Sequence, residues 1–350
     1  MESRGVKHLG LLKEDRFIVD CLRTEVSGGS IENLRKYELS AMNWDRVYEK
    51  ALKWNILPLL YRTIRNRSDL LRSTDIPDHV VRDIETAYIK TYVVNKANFE
   101  KLSELIKASI GAGIRVILLK GSHLAQFVYQ DIGLRWMADI DILIRKEDLK
   151  KTEQLLFQME YDYLKLEEVV WDDFGIDHPI QGQANLIEWY KANHMHLNLG
   201  SQKAIKNLEV HWGIARTASP FMIDMEGLWE RANAVGINGT KALVLCPEDL
   251  LLHLSLHDSY YHHHKLFGLR PFCDIAATIN QYGGHIDWRQ LGIRAREWGI
   301  EKYLYLMLRL TQEIFEAGIP DSFLDSIKPS LFNDGIVLEA KKRIFHKKTE

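Results

Sequence analysis

The residues that decide the fold run from Leu118 to Arg145 and read LLKGSHLAQFVYQDIGLRWMADIDILIR. Branched apolar residues open this stretch and, with those just before it, predict a buried strand over 115–120. A second strand is predicted over 139–144, where Asp and Ile alternate. Residues 123–129, between the strands, return to helical spacing. A strand, a helix and a second strand in this order indicate an α/β unit.

Asp139 and Asp141 are two residues apart in the second predicted strand, so we expect their side chains on the same face of the sheet. Ile140, Ile142 and Ile144 would then point into the core. Two adjacent carboxylates repel each other unless a cation neutralises them. Oxygen ligands on a strand suit Mg²⁺ or Mn²⁺, which also bind substrate phosphates. The alternative interpretation is a pair of solvent-exposed aspartates on an edge strand.

Lys120-Gly-Ser122 marks the turn from the first strand into the helix. A glycine here lets a phosphate approach the backbone closely, while the helix N-terminus and the Ser122 hydroxyl offer hydrogen-bond donors. We therefore expect Gly121 and Ser122 to bind phosphate oxygens. The simpler alternative is a strand-to-helix turn in which Ser122 is the N-cap.

Three more elements complete the predicted sheet region. A helix is expected over 147–159, and two further strands are expected over 194–199 and 208–212. The fold class is therefore α+β or α/β, with a small mixed sheet and its helices occupying residues 111–245.

Helical regions are predicted on both sides of this sheet region. Apolar spacing indicates helices throughout residues 10–108, including a long helix over 80–109. After Pro247 the helical segments are 248–256, 271–282, 288–297 and 300–317. Three regions follow: a helical N-terminal region over 1–110, the central region, and a helical C-terminal region over 246–350.

Taken in order, the motifs resemble the nucleotidyltransferase superfamily, whose minimal palm is like that of polymerase beta. The motifs are Leu119-Lys-Gly-Ser122, Tyr129-Gln-Asp-Ile-Gly-Leu-Arg135, Asp139-Ile-Asp-Ile-Leu143, Glu209-Val-His-Trp212 and Pro247-Glu-Asp-Leu-Leu-Leu-His253. Together they are similar to a branch of bacterial uncharacterised nucleotidyltransferases, from about Trp44 to Pro320. The resemblance implies a minimal palm flanked by helical N- and C-terminal regions.

The resemblance also implies a site for two metal ions, Mg²⁺ or Mn²⁺. Asp139 and Asp141 would hold one ion together with the β- and γ-phosphates of a nucleoside triphosphate. Glu209 would join both aspartates at a second ion, which lowers the pKa of an acceptor hydroxyl. Lys120 or Arg135 would neutralise charge on the departing pyrophosphate.

Two of the candidate residues have competing interpretations. Arg135 either contacts pyrophosphate or forms a surface ion pair with Asp131. His211 lies two residues after Glu209 and therefore on the same strand face. It either orients the substrate or a metal-bound water, or is a hydrogen-bonded structural residue.

The remaining histidines favour structural interpretations. His253 and His257 are four residues apart and share a helix face, but they lack the glutamate of the zinc protease motif. Aromatic and polar packing beside the catalytic cleft is the preferred interpretation. The run His262-His-His264 predicts a polar loop, since three consecutive side chains cannot converge on one ion from a regular element.

The composition narrows the partners and the compartment. The formal net charge is -2, with acidic and basic residues interspersed, so no long nucleic acid is expected as a partner. Cys21, Cys246 and Cys273 are far apart and favour a reducing compartment. The apolar runs are too short to span a bilayer, so no membrane partner is expected. A cytoplasmic protein is predicted.

The sequence therefore predicts a metal-dependent nucleotidyltransferase. It would move a nucleoside monophosphate from a nucleoside triphosphate to a hydroxyl or similar group of a small-molecule or peptide acceptor, releasing pyrophosphate. Two alternatives remain open: a catalytically inactive nucleotide- or partner-binding protein of the same fold, and a metal-dependent phosphohydrolase.

Overall fold

The helices account for most of the regular structure in the chain. The structure is a computed structural model that describes residues 11–66, 75–165, 169–171, 177–179, 182–202, 207–216, 218–261 and 268–346. The α-helices, numbered in chain order, are α1 Lys13–Val26, α2 Trp44–Lys53, α3 Leu57–Asn66, α4 Asp78–Gly111, α5 Lys120–His123, α6 Leu149–Gln158, α7 Gln183–Asn193, α8 Met225–Glu230, α9 Pro247–Leu256, α10 Arg270–Tyr282, α11 Trp288–Glu297, α12 Glu301–Phe315, α13 Asp321–Ser326 and α14 Gly335–His346. Helices α5 and α9 continue as π-helical turns over Leu124–Val128 and His257–Tyr261.

The strands form one mixed sheet and a separate two-stranded ribbon. They are β1 Ile117–Leu118, β2 Ile140–Leu143, β3 Asp162–Tyr163, β4 Val169–Trp171, β5 Asp177–Pro179, β6 His196–Gly200, β7 Leu208–His211, β8 Asn233–Ile237 and β9 Thr240–Val244. The large sheet has seven described strands in the order β3-β6-β7-β2-β1-β9-β8, and β4 pairs with β5. The predicted α+β or α/β class, with a small mixed sheet and flanking helices, is confirmed.

The centre of the sheet mixes parallel and antiparallel pairs. Strand β2 pairs antiparallel with β1 and parallel with β7, while β6 and β7 are antiparallel. All four residues of β2 are buried, because neighbouring strands flank it on both edges. In β6, buried Leu197 and Leu199 alternate with half-buried residues, so one face of this strand packs on the core and the other is more open.

Contacts between residues divide the chain into two compact units. The helical unit contains Met1–Val93, Leu124–Trp136 and Pro247–Glu350, and the sheet unit contains Val94–His123 and Met137–Cys246. Within the helical unit, α1 packs against α10 and α12, and the Arg23 guanidinium donates to the Ile314 carbonyl at 2.7 Å. This grouping differs from the three predicted regions, whose boundaries stay a prediction.

The element ends agree with the sequence pattern in some places and differ in others. The predicted helix over 288–297 matches α11, and the other predicted C-terminal helices begin and end within two residues of α9, α10 and α12. The strand predicted over 139–144 is shorter, because β2 begins at Ile140. The strand predicted over 115–120 is also shorter, since Lys120 already begins α5. None of the described helices has the length and apolar character that crossing a bilayer requires.

Candidate active site

Strands β2 and β7 bring two carboxylates together at the centre of the sheet. Their parallel register pairs Asp141 with Glu209, so the two side chains lie next to each other on one face. His211 follows two residues after Glu209 and projects from the same face. The strand that carries Glu209 is thus paired directly with the strand that carries Asp141. The side chains of Ile142 and Val210 alternate to the other face and are buried there.

Asp141, Glu209 and His211 form a compact group of potential metal ligands, which we name the ligand triad. One ligand atom from each residue lies within 4.8 Å of the other two. The His211 Nε2 is 3.0 Å from the Asp141 Oδ1 and 3.3 Å from the Glu209 Oε2. Asp141 and His211 are almost fully buried, whereas Glu209 is partly accessible. The triad is therefore open to a ligand from the side of Glu209.

Lys120 neutralises part of the charge of the ligand triad. Its Nζ is 2.6 Å from the Asp141 Oδ1 and 3.4 Å from the Glu209 Oε2. Lys120 has a left-handed backbone with a φ of 40°, which is unusual for a residue other than glycine. This conformation lies at the turn from β1 into α5, which carries the lysine to the carboxylates. Of the predicted phosphate contacts, Lys120 is the residue that the structure brings to the triad.

Charge and burial act in opposite directions on the pKa of Asp141. Burial raises the pKa of this carboxyl, but the Lys120 ammonium and a hydrogen bond from His211 lower it further than burial raises it. The net pKa lies well below the ordinary value. Burial also lowers the pKa of Lys120, but the charges of Asp141 and Glu209 raise it above its ordinary value. Both members of this pair are therefore charged at neutral pH.

Asp139 is separated from Asp141 by the start of β2. Strand pairing begins at Ile140, whose N–H donates to the Asn207 carbonyl, so Asp139 stands in a bend before the strand. It is half-buried and is not one of the three residues of the ligand triad. Its charge still contributes to the raised pKa of Lys120. The assigned start of β2 therefore lies between the two aspartates, and the predicted metal-binding role of Asp139 stays a prediction.

Ser122 and Gly121 lie at the start of α5 and are buried. The Ser122 hydroxyl is 2.8 Å from the Leu119 carbonyl oxygen and 3.2 Å from the Asp141 carbonyl oxygen, and it donates to this pair of acceptors. These bonds connect the first turn of α5 to β2. The helix already begins at Lys120, so Ser122 is not its N-cap. A phosphate contact by Ser122 stays a prediction, and the hydroxyl already has a structural role.

Arg135 forms an ion pair that neither interpretation of the sequence included. Its Nη2 is 2.9 Å from the Asp274 Oδ2, and its Nη1 donates to the Trp136 carbonyl. Tyr129 donates its hydroxyl proton to the same aspartate at 2.9 Å. Asp131 accepts hydrogen bonds from the Tyr88 hydroxyl and the Gly133 N–H, and its predicted ion pair with Arg135 stays a prediction. Arg135 therefore stabilises the helical unit, and its contact with pyrophosphate stays a prediction.

One protein family matches most of the chain. The sequence model of this family, described as "Uncharacterised nucleotidyltransferase", matches residues 40–316. The chain belongs to this nucleotidyltransferase family. No curated protein matches the chain. The resemblance of the motifs to nucleotidyltransferases is thereby confirmed.

Two solved structures are similar to this nucleotidyltransferase. The solution structure of the antibiotic-resistance factor ANT(2'')-Ia has 10% identity and a TM-score of 0.35, over 60% of this chain and 95% of that one. The crystal structure of an antigenic nucleotidyltransferase-like protein from Paracoccidioides brasiliensis has 15% identity and a TM-score of 0.33, over 72% of this chain and 98% of that one. Family membership rests on the sequence match.

Two further polar residues, which the sequence analysis missed, lie on β6 next to the ligand triad. In its antiparallel register, His196 is opposite His211 and Asn198 is opposite Glu209, so both share the face of the ligand triad. The rings of His196 and His211 are 4.8 Å apart. Burial lowers the pKa of His196 to about 2, so its ring is neutral at physiological pH. The alternation of polar residues in His196–Gly200 was the available signal.

The other histidines have structural surroundings or lie outside the described residues. His253 is buried, and its ring centroid is 6.2 Å from that of His257, whereas the predicted packing of these residues beside the catalytic cleft stays a prediction. His257 is 3.2 Å from the Asp258 carboxylate. The run His262–His264 lies outside the described residues.

Proposed function

We propose that this protein is a metal-dependent nucleotidyltransferase. It moves a nucleoside monophosphate from a nucleoside triphosphate to a hydroxyl or similar group of a small-molecule or peptide acceptor, and it releases pyrophosphate. The observation that carries the proposal is the register of β2 and β7, which sets Asp141 beside Glu209 with Lys120 against both. Membership of the nucleotidyltransferase family supports the same reaction class.

The donor atoms of the ligand triad fit a divalent cation. Two carboxylates and an imidazole converge on one side of the sheet, and this donor set can hold a cation that also contacts phosphate. When bound, the cation lowers the pKa of an acceptor hydroxyl and stabilises charge that develops on the phosphates. The triad accounts for one cation, and the second ion of the predicted pair stays a prediction.

Asp141, Glu209 and Lys120 have different roles in the proposed reaction. Asp141 is buried and fixed by its neighbours, so it holds a constant negative charge at the floor of the site. Glu209 is more accessible and faces the incoming substrates. Lys120 is the positively charged group that contacts both carboxylates, and its ammonium can exchange a hydrogen bond to a carboxylate for one to a phosphate oxygen of a bound triphosphate. Such a transfer of contacts would place a positive charge next to the departing pyrophosphate.

The experiment that tests this proposal uses each nucleoside triphosphate labelled either at the α- or at the γ-phosphate. A cell extract is first separated into a small-molecule fraction and a fraction of peptides and proteins. The purified chain is then incubated with Mg²⁺ or Mn²⁺ and each fraction. We expect the α-label in a new compound and the γ-label in pyrophosphate. Asp141→Asn should slow this transfer by at least ~100-fold, since losing a cation that stabilises the transition state costs about 3 kcal/mol or more.

The matched control and the other outcomes separate the competing functions. Asp162→Asn removes an exposed carboxylate from β3 of the same sheet and should transfer label at the wild-type rate. Release of the γ-label as inorganic phosphate without transfer would identify a phosphohydrolase. Labelled nucleotide that stays bound to the protein, with neither transfer nor hydrolysis in any fraction, would identify a nucleotide-binding protein. Transfer at the wild-type rate by Asp141→Asn would exclude the proposed site.

A further inference from the structure

His211 presents one particular ring nitrogen to the two carboxylates. Its Nε2 is 3.0 Å from the Asp141 Oδ1 and 3.3 Å from the Glu209 Oε2. The Nδ1 is buried and has no hydrogen-bond partner among the described residues. The ring is packed against His196 on the neighbouring strand, with the centroids 4.8 Å apart. Backbone pairing and this ring contact therefore hold the Nε2 toward the carboxylates.

The distances from the His211 Nε2 to the two carboxylate oxygens fit a shared coordination sphere. Neighbouring ligands at right angles, each about 2.1 Å from an ion, lie about 3.0 Å apart. The distances of 3.0 and 3.3 Å from the His211 Nε2 to the carboxylate oxygens match this spacing closely. A hydrogen bond from a protonated Nε2 has the same length, and a bound metal ion distinguishes ligation from hydrogen bonding.

The chemistry of the donor set distinguishes between cations. Mg²⁺ prefers oxygen ligands and retains several of its waters. Imidazole nitrogen is a better ligand for first-row transition metals, whose affinities for a mixed nitrogen and oxygen site follow the Irving–Williams order from Mn²⁺ upward. A site with two carboxylates alone would suit Mg²⁺, whereas the addition of His211 alters this preference.

We infer that the His211 Nε2 is a direct metal ligand, and that the ligand triad binds a first-row transition-metal ion in preference to Mg²⁺. This inference rests on the proposed function, because it assigns the ligands and the metal class of the same site. It makes His211 a member of the coordination sphere, whereas a structural histidine would only donate a hydrogen bond to Asp141.

The test uses Mn²⁺ as the probe and requires no turnover. Binding is followed by the loss of the free Mn²⁺ signal in electron paramagnetic resonance, and Mg²⁺ is added as a competitor. Pulsed electron paramagnetic resonance of the bound ion reports whether a nitrogen atom is one of its ligands. We expect coupling to one imidazole nitrogen and Mn²⁺ binding at least ~10-fold tighter than Mg²⁺ binding.

Two histidine variants separate ligation from packing. His211→Asn and His211→Gln should lose the nitrogen coupling and weaken Mn²⁺ at least ~10-fold, while the Mg²⁺ affinity changes much less. His196→Phe keeps a ring against His211 but removes the second imidazole, so it should retain both the coupling and the Mn²⁺ affinity. Circular dichroism verifies that each variant is folded.

The outcomes distinguish the inference from the proposed function. Bound Mn²⁺ without nitrogen coupling, or an unchanged ratio of Mn²⁺ to Mg²⁺ affinity in His211→Asn, would overturn the inference. Coupling that disappears only in His196→Phe would overturn it too. If Asp141→Asn still abolishes cation binding in these cases, the proposed function stands with an oxygen-only site. Unchanged Mn²⁺ affinity in Asp141→Asn would instead remove the cation site from the proposed function itself.

Discussion

Replacing Lys120 with methionine removes the ammonium from the ligand triad while it keeps most of the side-chain volume. The Lys120 side chain is 15% exposed and that of Asp141 is 2% exposed, so the variant leaves a carboxylate without its cation in a nearly dry site. Removing one partner of a buried ion pair costs about 3–5 kcal/mol. Because Glu209 is partly hydrated, we expect the lower end of this range.

Differential scanning calorimetry measures this loss, since it resolves transitions of separate units. A loss of about 3 kcal/mol lowers the melting temperature of a domain of this size by roughly 6–12 °C. Saturating Mn²⁺ should then recover much of the loss, because a ligand at 100 times its dissociation constant stabilises the folded state by about 2.7 kcal/mol. Mn²⁺ should raise the melting temperature of the wild type less than that of the variant, because Lys120 already neutralises the same carboxylates.

The matched control is Lys191→Met in the same unit. Lys191 lies 2.8 Å from the Glu153 carboxylate and 3.0 Å from the more exposed Glu188 carboxylate, and neither glutamate belongs to the ligand triad. This variant should lose stability without recovering it in Mn²⁺. A Lys120→Met variant that melts within 2 °C of the wild type would contradict this prediction, since the ion pair would then contribute roughly 1 kcal/mol or less. Equal recovery by Mn²⁺ in both variants would also refute it.

Three further perturbations test other contacts. Ser122→Ala removes a buried hydrogen bond and should destabilise the chain by about 1–3 kcal/mol in calorimetry. The predicted phosphate contact requires that Ser122→Ala weakens triphosphate binding more than monophosphate binding, and equal weakening of both would leave the hydroxyl with its structural role alone. Arg135→Met should destabilise the helical unit by about 3–5 kcal/mol, and the double variant with Asp274→Leu should recover part of this loss in a double-mutant cycle; additive losses would exclude coupling. Because the folded pKa of Asp141 is depressed, its stabilising contribution is complete above about pH 4 and is lost as the pH falls toward the folded pKa. Acid unfolding of Asp141→Asn should therefore show a shallower dependence on pH below this value, and an unchanged slope would contradict the assigned shift.

The sequence predicted those helices and strands whose apolar residues recur at a regular helical or strand spacing. The C-terminal helices have amphipathic spacing, and the strands carrying Asp141 and Glu209 have apolar residues that alternate with the acids. The Asn238-Gly239 turn between β8 and β9 is also a local signal, with positive φ at both residues, and the sequence analysis did not use it. This hairpin was therefore predictable from the sequence.

Other features depend on contacts between distant parts of the chain. The first residue of β2 is set by where pairing with β7 begins, and this leaves Asp139 outside the strand. The partner of Arg135 is 139 positions away, so no local spacing could identify Asp274. The left-handed backbone of Lys120 is unfavourable for a lysine, and propensity alone argues against it. Tertiary contacts decide all three features.

The proposed catalytic role of Glu209 gives the most direct test of the account. Glu209→Gln keeps the size of the side chain and its place beside Asp141 but removes its charge. Equilibrium dialysis with a labelled triphosphate and Mn²⁺ gives the affinity, and release of labelled pyrophosphate gives the rate of transfer. The prediction is weaker triphosphate binding together with a rate at least ~100-fold lower, because Glu209 is a ligand of the cation in the proposed site. Pyrophosphate release at the wild-type rate would contradict it.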